Sequence, residues 1–115
     1  MVDVNVLEGL SMPRRSRLDE PEAHHHVMNR AIGRRTLFES RRDMRVFLFL
    51  LAREVRRGSI RVFSYCLMAT HFHIYIESTL GDLSSCMLRI QTTYSHYFNR
   101  GRRRGGPLFR GRFAF

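Results

Sequence analysis

In Met68-Ala-Thr-His-Phe-His-Ile-Tyr-Ile-Glu77, polar and apolar side chains alternate strictly from His71 onward. Successive residues of a strand point to opposite faces. His71, His73, Tyr75 and Glu77 therefore share one face, and Phe72, Ile74 and Ile76 share the other. The second set is apolar enough to pack beneath helices. The first leaves two imidazoles side by side on an open face. Two readings of that pair compete: polar residues on the wet side of a strand, or ligands spaced to hold one divalent ion. Imidazole suits Mn, Zn and similar ions, whereas Mg prefers oxygen. Two histidines leave most of a coordination sphere open, as a catalytic metal requires if a phosphate oxygen is to enter.

The elements on either side extend this strand into a fold. Ile60-Arg-Val-Phe-Ser-Tyr-Cys-Leu67 is β-branched and aromatic and reads as a strand. The short link Met68-Ala-Thr70 makes the two strands an antiparallel hairpin. Before them, Met44, Phe47, Leu48, Leu51 and Val55 recur at helical spacing. Ser40 is placed to cap that helix, Asp43 stands three residues on as in a capping box, and Gly58 supplies the stop. A first strand is expected over His24–Ala31. A second helix is expected over Leu83–Asn99, with Asp82 as its cap and with Leu83, Met87, Ile90, Tyr94, Tyr97 and Phe98 marking one face. Arg100-Gly-Arg-Arg-Arg-Gly-Gly-Pro107 is a loop by composition, and Leu108–Phe115 is a last strand or an extended arm. The order β-α-β-β-α, with a further β in prospect, predicts an α+β chain of ferredoxin-like split β-α-β type. Its antiparallel sheet carries helices on one face and keeps the other open for function.

The chain has 115 residues, which suits one domain, and its 43% hydrophobic content is enough for a packed core. Residues 1–20 read as a flexible N-terminal extension and residues 21–115 as the domain. Met12-Pro-Arg-Arg offers an alternative start. No apolar run approaches the ~20 residues of a membrane span, so no membrane partner is expected. The N-terminus lacks the basic and apolar regions of a signal peptide. Cys66 and Cys86 fit no disulfide framework, which points to a reduced, cytoplasmic protein. The twenty basic residues, all Arg, face ten acidic ones, for a net charge of +10. Such an excess favours a polyanionic partner, because Arg contacts to phosphate release counterions. Base composition of the gene explains Arg over Lys, but not the imbalance against Asp and Glu.

Four stretches carry a family resemblance: His26-Val-Met-Asn-Arg-Ala31 with Arg34 and Phe38, Cys66-Leu-Met-Ala-Thr-His-Phe-His73, Tyr94-Ser-His-Tyr-Phe-Asn99, and Gly106-Pro-Leu-Phe-Arg-Gly-Arg-Phe113. His71-Phe72-His73 resembles the histidine–hydrophobe–histidine (HUH) motif of single-tyrosine transposases. In order and spacing the four stretches resemble the REP-associated tyrosine transposases and related small insertion-sequence enzymes of bacteria. The resemblance implies DNA transposition: cleavage and rejoining of single-stranded or hairpin DNA, by a monomer or a homodimer. It implies Mg or Mn held by His71 and His73, and a tyrosine that attacks the phosphate to leave a 5′-phosphotyrosine and a free 3′-OH. In that family the tyrosine and a third ligand sit on a later helix, after the Gly-Arg-Phe region. The implied nucleophile therefore lies beyond Phe115, and the chain reads as a transposase cut short before its catalytic helix.

The remaining candidates are weighed on patterning. Tyr94 and Tyr97 fall on or beside the apolar stripe and read as packing residues, Tyr65 as a residue of the covered side, and Tyr75 as a neighbour of the histidines. Of His24, His25 and His26, alternation lets only His24 and His26 act together. Glu77 is an outer-shell or third-ligand candidate, or a solvated strand-end carboxylate. Arg102, Arg103 and Arg104 are expected to track phosphates, with Asn29 and Arg30 facing the nucleic acid. Arg110 and Arg112 alternate with Phe109 and Phe113, so that rings either stack on bases or turn into the core. The competing function is a non-catalytic nucleic-acid-binding module, since small sheets bearing aromatics also bind RNA.

Overall fold

The computed structural model of the chain describes residues 19–115, so the expected extension falls outside the description except for Asp19 and Glu20. Three strands and two helices follow in the order β1 (Ala23–Arg30), α1 (Arg41–Arg57), β2 (Ile60–Met68), β3 (His71–Ser78) and α2 (Leu83–Gly101). The sheet is antiparallel with strand order β1-β3-β2, and both helices lie on one side of it. This is an α+β chain of ferredoxin-like split β-α-β type. Among the described residues no helix is long and apolar enough to cross a membrane.

Local chemistry fixes the ends of the elements. The Ser40 hydroxyl accepts the Asp43 N–H at 3.1 Å, and the Asp43 carboxylate reaches back to accept the Glu39 N–H at 2.8 Å. The pair therefore works as a capping box displaced by one residue. Gly58 ends α1 in the left-handed conformation, at φ 83°, where its N–H meets the carbonyls of Glu54 and Val55. The hairpin turn is Ala69-Thr70, between the paired residues Met68 and His71. The cap of α2 departs from expectation. Asp82 makes no side-chain cap bond. Asp19 supplies it from the far side of the sequence, its Oδ2 accepting the Leu83 N–H at 2.6 Å and the Ser78 hydroxyl at 3.1 Å. Asp19 thus takes part in the packing of the domain.

The core is the apolar side of the sheet against the two helices. Phe72, Ile74 and Ile76 are buried, as their alternation predicts, together with Phe47, Leu50 and Leu51 from α1 and Leu83, Met87, Ile90, Tyr94 and Phe98 from α2. The stripe of α1 is shifted from the expected one: Val55 is 40% exposed, and the buried positions include Asp43 and Glu54. Each acid is buried with a cation that α2 or its C-cap delivers. Arg89 forks onto Glu54, with Nη2 at 2.7 Å and Nε at 3.1 and 3.2 Å from its oxygens. Arg102 donates to Asp43 at 2.6 Å and to Glu39 at 2.8 Å, and its guanidinium lies over the Phe98 ring.

The C-terminal segment runs along the outer edge of β1. It forms two isolated antiparallel bridges, Ala31 with Phe109 and Met28 with Ala114, rather than a continuous strand. Leu108, Phe109 and Phe113 turn into the core, while Arg110, Gly111 and Arg112 stay exposed. Of the two expectations for these rings, packing is the one that holds.

Candidate nucleic-acid and metal site

Residues paired across antiparallel strands share a face, so the register lays out the open side of the sheet residue by residue. Along β3 it presents His71, His73, Tyr75 and Glu77. Opposite them β1 presents Arg30, Met28, His26 and His24 in turn, and β2 presents Met68, Cys66, Ser64 and Arg61. The two motif histidines lie together on this face with ring centroids 5.1 Å apart. Arg30, exposed, stands directly across from His71.

Both imidazoles are engaged through the same ring nitrogen. Nδ1 of His71 is 3.0 Å from the Thr70 hydroxyl, and Nδ1 of His73 is 3.1 Å from Nε2 of His26. His26 stacks on His73 with centroids 5.0 Å apart and rings 18° from parallel. Histidines that ligate metals characteristically use the second nitrogen in this way, which fixes tautomer and ring orientation. In the tautomer that carries the proton on Nδ1 of each ring, the two Nε2 atoms could hold an ion, and nitrogen donors favour Mn over Mg. Among the described residues no three His, Cys, Asp or Glu side chains gather in a metal-holding arrangement. Glu77 is turned to other partners, 3.7 Å from Nε2 of His24 and 3.8 Å from Arg61.

This chain shares its fold with a DNA transposase. A solved structure described as the REP-associated tyrosine transposase bound to a REP hairpin matches with a TM-score of 0.72 at 13% sequence identity, over 90% of this chain. The chain spans 60% of that protein's length. No protein-family model and no curated protein matches the sequence.

The expected DNA-contact residues separate into two groups. Arg30, Arg110 and Arg112 line a cavity of about 430 Å³ at the β1 edge, together with Met28, Asn29, Gly111 and Ala114. Arg103 is exposed at a φ of 53°, and Arg104 is half-buried with its N–H on the Asn99 carbonyl. Two residues leave the surface set. Asn29 was expected to face nucleic acid. Its side chain is buried on the helix side, donating to Gln91 at 2.9 Å and to the Gly111 carbonyl at 3.0 Å. Arg102 was expected in a phosphate-tracking loop, but is consumed by Glu39, Asp43 and the Phe98 ring.

The tyrosines also sort by face. Tyr94 is fully buried, donates to the Leu37 carbonyl, and has its phenol pushed far above the ordinary range by burial. Tyr97 donates to Asp43 at 2.7 Å; burial and that bond raise it too. Tyr65 pairs with Ile74 on the helix side of the sheet yet is 52% exposed. Tyr75 alone shares the histidine face, its hydroxyl 3.4 Å from Nδ1 of His24.

Proposed function

We propose that this chain handles single-stranded or hairpin DNA on the open face of its sheet, with His71 and His73 holding Mg or Mn against a backbone phosphate. The observation that carries this reading is the pair itself: two imidazoles 5.1 Å apart on the face of the sheet that neither helix covers, both tied back through Nδ1, with Arg30 alongside. The fold shared with a hairpin-bound transposase and the net charge of +10 support it. When bound, the ion supplies Lewis-acid polarisation of the phosphate. The chain's own arginines supply the rest. Arg30, Arg110 and Arg112 hold the sugar–phosphate backbone in the cavity at the β1 edge, where guanidinium groups match phosphate oxygens two at a time.

In this reading the chain belongs to a strand-cleaving transposase of the bacterial cytoplasm, acting as a monomer or homodimer. The attacking hydroxyl is that of a tyrosine other than Tyr94 and Tyr97, whose hydroxyls are engaged by the Leu37 carbonyl and Asp43. Its oxygen bonds to phosphorus, the P–O3′ bond breaks, and the strand is left with a 3′-OH and a 5′-phosphotyrosine. A nucleic-acid-binding module without cleavage is the second reading. The engagement of Tyr94 and Tyr97 in the core and with Asp43 favours it.

Anisotropy of a labelled DNA hairpin with a single-stranded flank separates the two. The proposal expects Mn-dependent binding that chelation weakens, and expects His71→Ala or His73→Ala to remove the metal dependence. Binding controlled by salt and indifferent to chelator and to both substitutions would leave only the module.

A further inference from the structure

We infer that His24, Phe63 and Tyr75 form a platform on which an unpaired nucleobase of the DNA stacks beside the histidine pair. The inference rests on the DNA reading above and deepens it, naming the part of the nucleic acid that this region takes. Three rings from three different strands converge on the open face. Their centroids are 5.1 Å apart for His24 and Phe63, 5.4 Å for Phe63 and Tyr75, and 6.0 Å for His24 and Tyr75.

The backbone is shaped for this convergence. β2 changes register between Val62 and Ser64, so that the extra residue Phe63 is accommodated opposite Tyr75. Bulges of this kind re-aim side chains and are features rather than defects. Phe63 is left 46% exposed, and the His24 side chain is 50% exposed. A single exposed ring is ordinary; a ring held against two others, one pleat from a pair of imidazoles, has a use. Tyr75 stands two residues from His73 on the same face, about 7 Å along the strand. A nucleotide whose phosphate reaches the histidines has a base within range of the rings. The rings of Phe109 and Phe113 are committed to the core, so the aromatic surface facing the strand is this one.

A nucleobase fits better than a second protein surface. Three rings bordered by Arg61 and Glu77 make a small patch, far short of the ~800 Å² per partner that a stable protein interface buries. Stacking on aromatic side chains accepts any base, so the platform selects unpaired DNA rather than a sequence.

The test uses the full chain and a DNA hairpin whose single-stranded flank carries 2-aminopurine. Wild type is expected to change the fluorescence of the flank base on binding. Phe63→Ala is expected to abolish that change and weaken binding roughly 5- to 150-fold, the range for one lost stacked base. Phe63→Trp is expected to retain both. An abasic flank is expected to weaken wild-type binding by a similar factor, an arm that needs no variant to fold. If wild type binds the flanked hairpin but the abasic flank and Phe63→Ala bind as tightly, the platform is refuted while the DNA reading stands. If wild type binds no DNA, both fall. If Phe63→Ala changes self-association by light scattering and leaves DNA affinity intact, the patch is an interface between copies and the inference is overturned.

Discussion

Nδ1 of His73 lies 3.1 Å from Nε2 of His26, and the two rings are within 18° of parallel. One proton lies between the two nitrogens, and its owner sets the chemistry of His73. A His73 that donates carries its proton on Nδ1 and offers Nε2 as a ligand. A His73 that accepts carries it on Nε2 and cannot ligate there. His26→Gln leaves an acceptor near the position of Nε2 and is expected to keep Mn affinity close to wild type by titration calorimetry. His26→Phe keeps the stacked ring, removes the acceptor, and is expected to weaken Mn about 10- to 100-fold, as losses of such outer partners do. The Nδ1–H tautomer of His73, read from ¹⁵N–¹H spectra, should be present in wild type and in His26→Gln and absent in His26→Phe. Equal affinities and one tautomer throughout would remove His26 from the site.

The arginines are expected to divide between stability and binding. Arg102 bonds Asp43, which is only 1% exposed, as well as Glu39. Arg102→Ala leaves a buried carboxylate short of its cation, at a cost of about 3 kcal/mol, the low end for a broken buried pair because the Glu39 N–H and the Tyr97 hydroxyl still bond it. Thermal unfolding should show this as a drop of several degrees per kcal/mol. Arg110 and Arg112 are exposed beside Arg30 at the β1 edge. Replacing either with Ala should leave the melting temperature unchanged, weaken hairpin binding whatever the sequence, and reduce the salt slope by about one. A melting loss for Arg110→Ala, or a salt slope moved only by Arg102→Ala, would contradict this division.

Acid sensitivity follows from the two buried carboxylates. For Glu54, burial pushes the pKa up most strongly, but the Arg89 hydrogen bonds and charge, with Arg57, outweigh it and hold the carboxyl below 4.5. Asp43 is likewise raised by burial and brought below 3.8 by the Glu39 N–H, the Tyr97 hydroxyl and Arg102. A carboxylate with a lowered folded-state pKa contributes stability that is complete above its unfolded value and is lost as pH falls through the folded one. Stability should therefore be insensitive to these two groups near neutral pH and decline below about pH 4.5. Glu54→Gln should be destabilised at neutral pH and show a shallower decline in acid, by chemical denaturation at each pH. A parallel decline in wild type and Glu54→Gln would exclude Glu54 as a source of the acid sensitivity.

What could be read from the sequence was local. The alternation of β3 placed His71 and His73 correctly because the period of a strand needs no partner to express it. Ser40 and Gly58 marked the ends of α1 because caps act over three or four residues. The signal for Asn29 was also present: it alternates with Met28 and Arg30 and falls in phase with Val27 and Ala31, both buried. Its polarity drew attention to the surface, where its phase did not put it. Other features had no local signal. Asp43 and Glu54 entered the buried stripe of α1 only because Arg89 arrives from α2 and Arg102 from its C-cap. The register change at Val62 and Ser64 depends on pairing with Tyr75. Arg102 looked like its neighbours Arg103 and Arg104 until the N-terminal end of α1 was brought against it.

Asp19 is the other residue whose part could not be seen locally, and it carries the last prediction. One of its oxygens receives the Leu83 N–H and the Ser78 hydroxyl; the other lies 3.1 Å from Nε2 of His25. It thereby caps α2, fastens the end of β3, and holds β1 through His25, all at the edge opposite the hairpin turn. Pro21 comes close to Gly81 here, where a Cβ would meet the proline at 3.1 Å and where φ is 74°. Removing a helix cap costs about 0.5–2 kcal/mol, and Asp19→Ala also strips the Ser78 hydroxyl and His25 of a partner. The expected loss is near the top of that range. Asp19→Asn, which keeps an acceptor oxygen but loses the charge at the helix N-terminus, should lose less. Amide exchange at Leu83 is the sharper measurement: it should accelerate most in Asp19→Ala, while Asp82→Ala leaves it near the wild-type rate. Equal acceleration in the two alanine variants would return the cap to Asp82.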